Sequence, residues 1–125
     1  MENFGTSQND VVADIVEYIK SLADTHLRDN QYTHVFCESH QQMRMLLDTE
    51  YPKGYHLFSS RRTLVFDNGA HVIFHSVDNV ADAYKHCGCI IGNLLVHTSL
   101  YVDEDMIFFF QRRTRPGYTL TLWEN

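Results

Sequence analysis

Four groups of residues carry side chains suited to chemistry. Asp103 and Glu104 follow the apolar run Asn93 to Val102. An acidic pair at the carboxyl end of a buried strand can hold a magnesium ion and orient a water for nucleotide hydrolysis. The same residues can instead open a helix, with Asp103 as N-cap and Glu104 and Asp105 complementing the helix dipole. The run His86-Cys87-Gly88-Cys89 places two thiols beside an imidazole, and His71, His75 and His97 lie elsewhere. Zinc asks for four such ligands in a tetrahedron. Paired Cys-x-x-Cys knuckles are absent and the third cysteine is the distant Cys37, so buried thiols are expected and no metal.

Cys37 precedes His40 at a strand-to-helix turn, where a helix N-terminus can lower a thiol pKa. A place inside the strand would instead make Cys37 a core residue. Arg112-Arg113-Thr114-Arg115 and Arg61-Arg62 could meet phosphate or serve local ion pairs. Glycines stand at 5, 54, 69, 88, 92 and 117, and none forms a G-x-x-x-x-G-K-[ST] loop.

The elements that must position these residues follow from spacing. Val11, Val12, Ile15, Val16, Ile19, Leu22 and Ala23 recur at helical intervals, so a helix capped by Asn9 or Asp10 is predicted to about His26. Asp29-Asn30 breaks it. Thr33 to Glu38 reads as a strand. Ser39 caps a second helix from His40 to Asp48, and Pro52 and Gly54 end that region. Thr63 to Val77 reads as a hairpin around Asp67-Asn68-Gly69. A two-residue Asn-Gly turn would set Phe66 against His71 and Leu64 against Ile73, leaving both hairpin faces apolar. Asp78 caps a short helix to about Lys85, Asn93 to Val102 forms a strand, a helix runs from Met106 to about Arg113, and Tyr118 to Trp123 closes as a strand. Strands separated by helices imply parallel pairing. The expected fold is α/β: a layered mixed sheet with an antiparallel hairpin, helices on its faces, and residues 1–125 as a single domain.

Composition sets the class. The chain has 125 residues, 44% hydrophobic and 21% charged, with net charge −6. That is globular rather than disordered. The acidity disfavours direct nucleic-acid binding through a broad basic face. No apolar run reaches the roughly 20 residues of a membrane span. Met1 to Asp10 is polar, so no secretory signal is expected, and three cysteines suit a reducing cytoplasm. The first 50 residues hold nine acidic and three basic side chains, and the rest hold seven of each. Phe66, Phe74, Phe108, Phe109, Phe110 and Trp123 lie in that neutral portion.

The order of elements resembles the ATPase core of P-loop NTPases of the phage terminase large subunit and helicase-like kind. A helix, a strand, a helix, a hairpin and an apolar strand ending in acidic residues match Val11–His26, Thr33–Glu38, His40–Asp48, Thr63–Val77 and Leu94–Glu104. The resemblance implies that Asp103 orients magnesium, that Glu104 is catalytic, and that magnesium and ATP are cofactors. The chain departs from the pattern where it matters most. The first strand of that core is missing, and Gly5-Thr6-Ser7 stands where the Walker A loop would carry its lysine. A loop without that lysine has little to hold a triphosphate.

Two functional expectations follow. The leading one is a small acidic non-enzymatic protein-interaction module without a cofactor. A phage-encoded accessory or inhibitory protein in the host cytoplasm would fit. Phe108, Phe109, Arg112 and Arg113 are its expected interaction residues, and a protein partner or a second copy forming a homodimer covers the surplus apolar strand surface. The alternative is a metal- and nucleotide-dependent enzyme, or a subunit of one, using Asp103 and Glu104.

Overall fold

A computed structural model describes residues 11–24, 32–52 and 54–124. Its elements are β1 (Val11–Val12), α1 (Ile15–Leu22), β2 (Tyr32–Cys37), α2 (His40–Leu47), β3 (Tyr55–Phe58), β4 (Thr63–Phe66), β5 (His71–Ser76), α3 (Val80–Cys87), β6 (Asn93–His97), α4 (Glu104–Arg113) and β7 (Leu120–Trp123). Short 3-10 turns at Ser59–Arg61 and Thr98–Leu100 complete them. The fold is α/β. Its seven described strands form one mixed sheet in the order β1-β7-β6-β2-β5-β4-β3. The first five in that order are parallel, and β4 runs antiparallel to both β5 and β3.

Two apolar layers sandwich the sheet. On one face, Ile15 and Ile19 of α1 and Met43, Leu46 and Leu47 of α2 pack on Val35, Leu64, Phe66, Val72, Phe74 and Trp123. On the other, Ala83 and Cys87 of α3 and Met106, Phe109 and Phe110 of α4 pack on Phe36, Leu94 and Val96. Each helix start is satisfied by a side chain. Asp14 accepts the Glu17 N–H, Ser39 that of Gln42, Asn79 that of Asp82, and Asp103 that of Met106. These caps remove orphan donors that burial would otherwise penalise.

Several boundaries differ from expectation. Val11 and Val12 do not begin the first helix but pair in parallel with Leu122 and Trp123. Two β-branched residues gain ladder partners there, and the cap is Asp14. Asn9, Asp10, His26, Asp29-Asn30 and Gly5-Thr6-Ser7 lie outside the described residues. The third helix is capped by Asn79 rather than Asp78, whose N–H is taken by Asp82. Strand β3 carried no clear alternation and was not foreseen; its side chains are largely exposed.

The hairpin turn has three residues, not two. Phe66 N–H donates to Ala70 O at 2.9 Å, Gly69 N–H donates to Phe66 O at 2.9 Å, and Gly69 sits at φ 92°. That is the turn-plus-bulge loop in which a glycine takes the left-handed position. The pairing moves by one residue: Leu64 faces Val72 and Val65 faces His71. One step regroups both faces. Leu64, Phe66, Val72 and Phe74 now lie together in the core, and Thr63, Val65, His71 and Ile73 share the opposite side at intermediate burial. Only one hairpin face is fully covered. Asn68 earns its place through α1, because its side-chain amide donates to Leu22 O and Ala23 O at 2.7 and 3.1 Å.

Candidate interaction surface

The chain leaves β2 through α2 toward β3–β5, and leaves β6 through α4 toward β7. Strands β2 and β6 are neighbours, so their carboxyl ends diverge into the crevice where open α/β sheets bind ligands. Here that crevice holds Glu38, Ser39, His97 and Ser99. Ser99 N–H donates to His97 Nδ1 at 3.1 Å, and its hydroxyl lies 2.8 Å from the same nitrogen. Glu38 Oε1 is 3.7 Å away. All three contacts fall on one nitrogen. A hydroxyl relay needs the second nitrogen held by an orienting group, whereas a residue two positions on bonding Nδ1 is a turn cap. The buried His97 ring meets Trp123 edge-on, with centroids 4.7 Å apart.

Strand β6 therefore ends at His97, and Asp103 begins α4 beyond the 3-10 turn. Asp103 is spent on the Met106 N–H, and Glu104 is an exposed residue of the first turn. Cys37 is the last residue of β2 and fully buried, and its apolar surroundings push the thiol up to about 12. Such a thiol is not a nucleophile at neutral pH.

The other two thiols, both expected to be buried, differ. Cys89 is exposed, and Cys87 packs under α3 with its Sγ 3.6 Å from His75 Nδ1. His75 Nε2 lies 2.9 Å from His34 Nδ1, and His34 Nε2 lies 3.0 Å from Ile91 O. A carbonyl only accepts, so His34 carries its proton on Nε2. Its Nδ1 must then accept from His75, and His75 Nδ1 accepts the Cys87 S–H. The chain is fully satisfied and neutral. Burial is the main cause that lowers His75 to about 3 and lowers His34, while burial raises Cys87 to about 11. Among the described residues no three His, Cys, Asp or Glu side chains converge as a metal site.

The residues expected to interact divide in two. Phe108 is 52% exposed, with the Arg112 guanidinium 5.3 Å from its ring centroid. Phe109 is fully buried, because the helical period turns it inward. It is a core residue, not a contact for a partner. Arg113 lies over Phe109 and Tyr84 at 4.2 and 4.9 Å and seals that core edge.

The feature that sequence spacing missed is a part of the sheet left bare by the described residues. Helices α3 and α4 cover β6, β2 and the end of β5, and the strands beyond follow one another through tight turns with no helix. A groove of about 460 Å³ remains on that side, and Arg61 lines it together with Tyr32, Phe58, Thr63, Val65, His71 and Ile73. Tyr32 and His71 stack at 4.5 Å, and Tyr32 and Phe58 are 39% and 45% exposed. Strand β3 beside it is the last of the described strands, and its outer edge has no partner among the described residues. The hairpin signal was visible in the sequence, but its register, and so the grouping of these side chains, was not.

Comparison with known proteins found no matching family model, no matching curated protein and no matching solved structure. No described helix is long and apolar enough to cross a membrane.

Proposed function

We propose that the chain is a non-enzymatic protein-interaction module that docks a partner on the bare side of β3, β4 and β5. One observation carries this reading: an aromatic and aliphatic sheet face that no described helix covers, next to an edge strand with no partner among the described residues. Contiguous exposed apolar surface of this kind marks interaction sites, and an open edge can accept an added strand. The small acidic chain would suit an accessory or inhibitory protein such as phages encode in a host cytoplasm.

The test is a charge placed on the face. Val65→Glu should abolish recovery of the partner from the source organism while far-UV circular dichroism stays native. Met45→Glu, at an exposed apolar residue on α2, should leave recovery unchanged. Equal behaviour of the two variants would place the docking surface elsewhere.

A further inference from the structure

The bare groove is continuous with a second one. This neighbour has a volume of about 420 Å³ and is lined by Ser60, Arg61, Arg62, Ser76, Asp82 and His86 among others. The two grooves share Arg61 and Ile73. One is apolar with no acidic residue in its lining, and the other is polar and carries two arginines.

The arginines are placed by backbone. Arg62 ends the 3-10 turn in the left-handed region at φ 52°, with its N–H on Ser59 O and its C=O accepting the Phe74 N–H at 2.9 Å. The turn thus pins both arginines between β3 and β5. The Arg61 guanidinium lies 5.9 Å from the Phe58 ring centroid. Neither arginine forms an ion pair among the described residues. Asp82, the acidic residue in the polar groove, is already engaged. It accepts the Asp78 N–H at 3.0 Å and meets His86 Nε2 at 3.3 Å.

We infer that the partner is an acidic protein segment: an apolar or aromatic side chain seats on Tyr32, His71 and Ile73, and a neighbouring anionic side chain reaches Arg61 and Arg62. This rests on the docking reading above and names the chemistry of its occupant. Charge complementarity selects it. A guanidinium pair beside an aromatic floor recognises a carboxylate or phosphoryl group next to an apolar one. A single-stranded nucleic acid could also stack on aromatics. Its many phosphates would face a chain of net charge −6, whereas a short acidic segment brings only one or two charges to the two arginines.

The experiment is a nuclear magnetic resonance titration of the whole chain with blocked peptides at millimolar concentration. The probes are acetyl-Glu-Phe-Glu-Phe-amide, the same peptide with Gln for Glu, the same with phosphoserine for Glu, and oligothymidylate. The expected result is shifts at Tyr32, His71, Ile73 and the Arg61 and Arg62 side chains with the anionic peptides. The Glu and phosphoserine arms tell which anion is preferred, and preference for either supports the inference. Arg62→Gln should weaken anionic peptides about tenfold and leave the Gln peptide unchanged. Equal binding of the Glu and Gln peptides with shifts on the face would overturn the acidic partner and keep the docking surface. Absence of shifts on the face with every peptide would overturn both. Tighter binding of oligothymidylate, or a concentration-dependent dimer that buries Tyr32 and His71, would overturn the inference in favour of those occupants.

Discussion

His75 donates through Nε2 to Nδ1 of His34 at 2.9 Å, between neighbouring parallel strands. Both rings are neutral in the fold. The unfolded chain would protonate both near pH 6.5. Burial, the His34 ring and the Arg62 guanidinium hold His75 down to about 3. Above pH 6.5 neither state binds the proton and the stability is full. As pH falls below 6.5 the unfolded state gains protons that the fold refuses, so stability drops toward pH 3. The slope should approach about 1.4 kcal/mol per pH unit for His75, and the lowered His34 adds in the same direction. Urea midpoints at pH 7, 6 and 5 measure it, and His75→Gln should flatten the curve by about one proton. An unchanged slope in that variant would remove the pair as the source.

Adjacent phenylalanines on α4 should behave oppositely. Phe109→Ala empties a fully buried site and should cost about 3–5 kcal/mol. Phe108→Ala should stay within about 0.5 kcal/mol, because its ring is half exposed beside Arg112. Chemical denaturation of the two variants decides it. Similar losses would contradict the orientation of the helix.

The three thiols should differ in reactivity. Cys89 is exposed, while Cys37 and Cys87 are buried with raised pKa values. In the native protein at pH 8, a disulfide reagent should label one thiol quickly and the other two only as the chain unfolds. Rapid labelling of Cys37 would show that the end of β2 opens readily.

Asp103 should act as a cap. Asp103→Ala should lower stability by about 1 kcal/mol, and Asp103→Asn should recover most of it, since asparagine also caps well. Thermal and urea unfolding read both. If Asp103→Asn instead removed a thermal shift given by magnesium and ATP, the nucleotide-enzyme alternative would gain the support it needs.

Gly92 sits at φ 144°, and a Cβ there would overlap the Tyr32 carbonyl oxygen. Gly92→Ala should therefore destabilise by more than the roughly 1 kcal/mol typical of a substitution, through both strain and displacement of β2. Loss of amide-exchange protection at Tyr32 and Thr33 would localise the effect.

By itself the sequence determined the class and the local elements. The Ser39 and Asp103 caps, the inward period of α1 and α2, and the apolar runs of β2 and β6 are local rules read over a few residues. They were enough to establish an α/β sheet with helices between its strands and an antiparallel hairpin. Tertiary structure decided what those rules leave open. Val11 and Val12 fit a helix by period, but a partner strand more than 100 residues away takes them into the sheet. The three-residue turn at Asp67-Asn68-Gly69 shifted the register by one, and a period of two turns that single step into a change of face. No local pattern reports which part of a sheet lacks a helix. That depends on which way each connection crosses, and here α3 and α4 share the groove's face but lie over β6 and β2, away from β3 and β4. The bare groove, with Tyr32, Phe58, Val65, His71 and Ile73 drawn from four strands, exists only because of that choice.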